Sequence, residues 1–280
     1  MKDIALGQYY PASSVMHRLD PRLKILLVAG YITMIFLVRT FTGFGLVAVF
    51  LLFTIIISKV PLFTVLRTVK PILFMVSFTF VLTFLFYAGA ADEADIFFDW
   101  AFITLSYSGL LNSLFLVSRL ILLVMGPSLL TLTTTPVELT NGIESLLKPL
   151  ALIKLPVHAL AMIMSLSLRL IPTLTEETSR IINAQKARCA DFDSRNLLKR
   201  AKALIPVLIP LFVSSFRRAD ELADAIDSRC YRGAKGRTRR VKLRIAFRDV
   251  AAAVIYGAML FATLVVAFNF WGFGFLYGLY

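Results

Sequence analysis

Five apolar runs limit what this chain can fold into. Residues 22–38, 42–58, 71–88, 109–132 and 249–270 each hold close to the number of apolar residues that a helix needs to cross a bilayer. The 280-residue sequence is 58% hydrophobic and carries 24 Phe, which is more apolar than soluble domains. The expected fold is therefore an all-α integral membrane protein with about five transmembrane helices. Asp20-Pro21 opens the first run with an N-cap acceptor and a proline at the first helical position.

Charge then orients the spans. With the N-terminus inside, the cytoplasm receives 4 Lys/Arg from the N-terminal segment (Lys2, Arg18, Arg22, Lys24) and 3 from the 59–70 loop (Lys59, Arg67, Lys70). It also receives 21 from residues 133–248, and of the 30 cations in the chain only Arg39 and Arg119 are left out. The 89–108 loop carries Asp92, Glu93, Asp95 and Asp99 without a cation, as an outer loop would. The predicted organisation is a membrane domain over 1–132 with four spans, a cytoplasmic domain over 133–248, and a last span with an outer C-terminus over 249–280. The net charge of +13 follows from this topology and does not call for nucleic acid.

Two further apolar stretches, 155–174 and 203–216, are predicted to stay on the cytoplasmic side. If both crossed, Arg180, Lys186, Arg188, Arg195, Lys199, Arg200 and Lys202 would be exported. The second stretch is short and holds Pro206 and Pro210, which interrupt a helix. Both need a cover, from this chain or from another membrane protein. No cleavable signal peptide is expected, and two cysteines on the cytoplasmic side do not make a disulfide framework. Arg119, deep in a span, stays open between function, snorkelling and contact with backbone carbonyls.

Within the basic block, one pattern occurs twice. Glu177–Cys189 closes on Ala187-Arg188-Cys189, and 41 positions later Arg218–Cys230 closes on Ser228-Arg229-Cys230. The first helix is predicted to start after Pro172, with Glu176 and Glu177 in its first turn and Lys186 and Arg188 in its last. The second starts after Pro210. Small neighbours let a partner surface close around each guanidinium, whose planar fork suits a bidentate carboxylate.

These tripeptides resemble the paired Ala-Arg-Gly motifs of the T components, the transmembrane scaffolds, of energy-coupling factor vitamin and metal importers. Ala184-Gln185-Lys186-Ala187-Arg188, the run Phe216–Leu222 leading to Tyr231-Arg232-Gly233, and His17-Arg18-Leu19-Asp20-Pro21-Arg22-Leu23-Lys24 are similar to that family as well. The resemblance implies a non-catalytic subunit in a prokaryotic cell membrane, with a cytoplasmic helical domain that presents two coupling helices. Ala187, Arg188, Cys189, Ser228, Arg229 and Cys230 would dock two ABC-type ATPase subunits, a heterodimer. An exchangeable substrate-binding membrane subunit would sit on the apolar helices, and closure of the ATPases would tilt it during vitamin or micronutrient uptake. Cys189 and Cys230 stand where glycine is usual, which leaves the conformation of both helix ends open, because cysteine tolerates positive φ poorly.

Other chemistries find weaker support. No phosphate-binding loop is present, so ATP hydrolysis belongs to partners, and no cofactor is expected. Cys189 with Asp191 and Asp193 lacks a nearby histidine and makes a poor metal site; His17 and His158 are isolated. A membrane-embedded lipid-modifying enzyme is the alternative reading, with the outer acidic cluster as its best candidate. A self-sufficient channel would need intramembrane polar residues that the spans lack. The run Arg237–Arg248 precedes the last span and suits contact with anionic lipid.

Overall fold

The first helix begins where Asp20 and Pro21 place it. The Asp20 carboxylate accepts from the Arg22 amide at 2.9 Å, and Pro21 fills a position whose amide has no partner inside the helix. The computed structural model describes residues 9–38, 40–86, 96–100, 103–149, 156–190, 192, 194, 196–231, 233 and 246–267. Over these residues the helices are α1 (Pro21–Leu37), α2 (Phe41–Ser58), α3 (Leu62–Val69), α4 (Leu73–Leu85), α5 (Tyr107–Thr133), α6 (Pro136–Leu147), α7 (Val157–Ala187), α8 (Leu197–Ser228) and α9 (Phe247–Ala267). The fold is all-α apart from one small ribbon. Inside the expected 89–108 loop, β1 (Ile96–Trp100) pairs antiparallel with β2 (Ile103–Ser106). Asp92, Glu93 and Asp95 lie outside the described residues.

Among the described residues, five helical stretches are long and apolar enough to cross a membrane: Phe41–Ser58, Leu62–Leu85, Tyr107–Thr133, Val157–Ala187 and Phe247–Val266. This set departs from the predicted spans at each end of the size range. Helix α1 has 17 residues and is about 25 Å long, slightly under the ~30 Å hydrocarbon thickness, a mismatch that bilayers absorb by local thinning. Helix α7 qualifies by the length and composition of its apolar part, which take no account of Arg180 and Lys186 in its second half or of the cations beyond it. The third span also begins earlier than predicted. Residues 62–69 are helical, and a 3-10 turn at Lys70–Ile72 carries the chain past Pro71, whose missing amide would otherwise break the helix.

The chain divides into two compact units, residues 1–146 with 243–280, and residues 147–242. In the first, α5 is the hub, packed by α1, α2, α3 and α4. Its core includes Met34, Ile35, Val47, Ile55, Val65, Phe115, Met125 and Leu132. Lipid is as apolar as these side chains, so close van der Waals fit holds the helices together. Two tyrosine knobs show that fit. Tyr31 of α1 lies against Gly126 of α5, where any Cβ would overlap its ring, and its hydroxyl donates to Leu122 O at 3.0 Å. Tyr256 of α9 in turn covers Gly30 of α1.

The starts of α1 and α9 are tied by one buried carboxylate. Asp249 accepts from the Ala246 amide at 2.7 Å and from the Asp20 amide at 2.9 Å, satisfying orphan donors of both helices. Lys24, also buried, closes the far end of α5. Its Nζ donates to Thr133 O at 3.0 Å, Thr134 Oγ1 at 3.1 Å and His17 O at 3.3 Å, so the ammonium is fully partnered at the negative end of that helix. The family-like run from His17 to Lys24 therefore acts here as a structural clasp. Arg119 also finds a structural partner: Nη2 donates to Val38 O at the end of α1 at 3.1 Å, and the guanidinium lies over the rings of Phe115 (4.9 Å) and Phe44 (5.8 Å). Of the readings the sequence left open, the backbone-carbonyl contact is the one observed.

Candidate functional site: two arginine-capped helix ends

Helices α7 and α8 lie in the second unit and are longer than the sequence predicts. Prolines 172, 206 and 210 were expected to start or interrupt helices, yet α7 runs through the first and α8 through the other two. A proline inside a helix removes one hydrogen bond, and a long helix tolerates the resulting kink where a freed carbonyl finds another donor. Pro210 leaves the Pro206 carbonyl without its helical donor. Gln185 Nε2 of α7 approaches that oxygen at 3.5 Å, a long contact. A second cross-link joins Arg218 Nη2 to Glu177 Oε2 at 3.3 Å. Both partners are partly exposed, so the pair contributes about 0.5 kcal/mol, and its main value is geometric.

These two contacts set the direction of the pair. Moving from 177 to 185 along α7 corresponds to moving from 218 to 206 along α8, so the helices run antiparallel. Glu177 and Arg218 are 11 residues before Arg188 and Arg229 respectively, and the two arginines leave in opposite senses from that contact. At 1.5 Å per residue the tips are on the order of 30 Å apart. One groove cannot take both. Two can.

Each tip ends in the same backbone motif. Arg188 is the C-cap of α7, and Cys189 follows at φ 62°. The Cys189 amide donates to Lys186 O at 3.0 Å and the Ala190 amide to Gln185 O at 3.0 Å. Arg229 caps α8 in the same way, with Cys230 at φ 55°, the Cys230 amide on Asp227 O at 2.8 Å and the Tyr231 amide on Ile226 O at 3.3 Å. This pair of bonds defines the Schellman helix end, which satisfies the last carbonyls and normally uses glycine in the left-handed position. The structure thus closes the question that the two cysteines raised. Both adopt the glycine conformation, at a strain of about 1 kcal/mol each. Replacing Cys189 or Cys230 by glycine is expected to raise stability by about that amount, read as a higher midpoint in thermal unfolding of the purified protein.

All six predicted site residues, Ala187, Arg188, Cys189, Ser228, Arg229 and Cys230, are exposed, and both thiols are free. The left-handed turn reverses the chain just after each arginine, so the side chain stands at the end of its helix. The stretch 203–216, expected from the sequence to need a cover, presents a broad exposed apolar surface. On α8, Leu204, Leu208, Phe212 and Phe216 repeat every four residues, with Phe212 and Phe216 stacked at 6.4 Å, and Ile205, Ile209 and Val213 form a second row. Phe216 is 67% exposed. The i,i+4 spacing was the signal available in the sequence. Asp191, Asp193, Arg195 and Arg232 lie outside the described residues.

Comparison with known proteins decides the family. The model described as "CbiQ: Cobalt transport protein" matches residues 12–243. The "Energy-coupling factor transporter transmembrane protein EcfT" of Clostridium kluyveri is 49% identical, over 91% of this chain and 93% of its own length. This chain belongs to that family. It is a transmembrane component of an energy-coupling factor transporter, and it is a multi-pass membrane protein. Proteins of the same description from Thermosediminibacter oceani and Bacillus subtilis are 44% and 41% identical, over 96% and 93% of this chain and 99% and 98% of their own lengths. Similarity at this level runs through both units, so the clasp around Lys24 and the two arginine-capped ends lie within the stretch these relatives share.

Proposed function

We infer that this chain is the non-catalytic scaffold that passes motion from two ABC-type ATPase subunits, a heterodimer, to a substrate-binding membrane subunit during uptake of a vitamin or other micronutrient. One observation carries the reading: two exposed arginines cap matched Schellman ends at opposite ends of an antiparallel helix pair. Each guanidinium is a bidentate donor carried on a fixed helix end, and the spacing suits one groove in each of two lobes. Rigid helices that cross near Glu177 and Arg218 convert a change in lobe separation into a change of crossing angle.

The apolar rows on α8 supply the second half of the mechanism. A face this large on a water-facing helix invites a protein cover, and a small hydrophobic subunit fits that role. In this reading α1, α2, α3 with α4, α5 and α9 cross the bilayer, while α7 and α8 lie on the cytoplasmic side with the N-terminus. Crossing by α7 would carry Arg180, Lys186 and Arg188 outward against the positive-inside rule.

Two measurements test this. Mild-detergent purification of the tagged chain should bring down two ATP-binding proteins and a small hydrophobic membrane protein; a chain that purifies alone and active refutes it. For orientation, the chain's two cysteines are natural probes, since both are exposed and no others exist. A membrane-impermeant maleimide is expected to leave Cys189 and Cys230 unlabelled in intact cells and to label both in inverted vesicles prepared from cells that lack the ATPase subunits. Labelling in intact cells would reverse the topology.

A further inference from the structure

A cavity of about 340 Å³ opens within the first unit, walled by α1, α2, α5, α9 and the segment before α1. Its lining is almost wholly apolar, and the volume falls in the range of sites that hold small organic ligands, about 300–1,000 Å³. Sequence creates the space: Ala251 and Ala252 of α9 present one carbon each where neighbouring helices present Phe50, Phe53 and Ile57. Along α9 the lining runs from Phe247 and Arg248 in the first turn to Tyr256, two turns deeper, or about 12 Å. That depth is most of one ~15 Å leaflet. The cavity is thus a narrow apolar slot that starts at headgroup level.

The charge at its mouth selects the occupant. Arg248 lines the slot and is exposed. The acids beside it are already engaged: Asp249 accepts from the amides of Ala246 and Asp20, and Asp20 accepts from the Arg22 amide with Arg22 Nε at 3.9 Å. In the sequence Arg248 closes a run of cations, Arg237, Arg239, Arg240, Lys242 and Arg244. An apolar side chain of a neighbouring protein would fill such a slot but would leave the cation unused. We propose that this slot is a binding site for an anionic glycerophospholipid, with one acyl chain between α1, α2 and α9 and the phosphate on Arg248. The lipid completes the packing of α9, whose contacts with α1 and α2 leave the space. The bound leaflet is the cytoplasmic one, a detail that rests on the orientation inferred above and that the maleimide labelling tests independently.

Native mass spectrometry of the delipidated, detergent-solubilised chain with added phosphatidylglycerol or phosphatidylcholine tests the site. A single retained phosphatidylglycerol is expected, preferred over phosphatidylcholine by about five-fold, the usual worth of one basic residue at an anionic surface. Ala252→Trp fills the slot and should remove the retained lipid of either kind. Arg248→Glu, at an exposed position outside the packed core, should erase the preference while phosphatidylcholine binding persists. Retention unchanged in Ala252→Trp, or equal retention of the two lipids by the unaltered chain, overturns the proposal. Should Ala252→Trp fail to fold, judged by elution and thermal unfolding, Arg248→Glu decides alone: a preference that survives it refutes the site.

Discussion

Charge reversal at both tips, Arg188→Glu with Arg229→Glu, is expected to abolish association with the ATPase subunits while the chain still inserts and folds. Buried arginines at protein interfaces commonly contribute 2 kcal/mol or more, and two at separate sites act nearly independently, so affinity should fall by about a thousand-fold. Reversal places a carboxylate against whatever acid each groove offers, so like charges then repel and the loss exceeds that of alanine. Each single change should give an intermediate complex, held by one lobe only. The readout is ATPase capture from co-expressed subunits, with transport as a second measure. Each backbone motif stays intact, because a C-cap side chain in open solvent makes no contact that the helix end requires. If the double variant captures the ATPases at the normal level, the arginines are ordinary helix-terminal cations and the coupling reading fails.

The second large effect is expected in the membrane unit. Asp249→Ala removes the acceptor for two amides, Asp20 and Ala246, at the joined starts of α1 and α9. Each buried donor left without a partner costs about 1–3 kcal/mol, so the loss is roughly 3–5 kcal/mol, enough to unfold much of a marginally stable domain. Asp249→Asn keeps one carbonyl acceptor and should recover about half. Thermal unfolding of the purified chain in detergent measures both, and equal stability of all three forms would show that the clasp is dispensable. The same variants should leave ATPase capture unchanged in any folded fraction, because the tips lie in the other compact unit.

Much of this protein could be read before any coordinates. The helical class follows from apolar runs too long for anything but spans, and Asp20-Pro21 starts α1 for a reason confined to two residues. The pair of arginine tips was visible as a repeat, since spacing and small neighbours are properties of sequence alone. What the sequence could not settle turns on which backbone and side-chain groups end up paired, both nearby and far along the chain. The glycine-like conformation of Cys189 and Cys230 depends on carbonyls at Gln185, Lys186, Ile226 and Asp227 needing donors, which outweighs the local preference of cysteine. Prolines 172, 206 and 210 read locally as helix breaks, and only the packed pair, with Gln185 beside the Pro206 carbonyl, shows that α8 continues through two of them.

Similarly, Arg119 looked like a charge stranded in the bilayer until Val38 and Phe44 came to it from other helices, to join Phe115 one turn before it on α5. Lys24 counted in the sequence as one cytoplasmic cation among four and Asp249 carried no signal of its own, yet the fold buries both, because the ends of α1, α5 and α9 leave backbone groups that those side chains reach. Composition and charge order chose the class, the spans and the pair of tips, since those depend on transfer free energies that each residue carries with it. Tertiary structure chose which polar groups meet across the chain, and with them the antiparallel crossing that sets the two arginines apart.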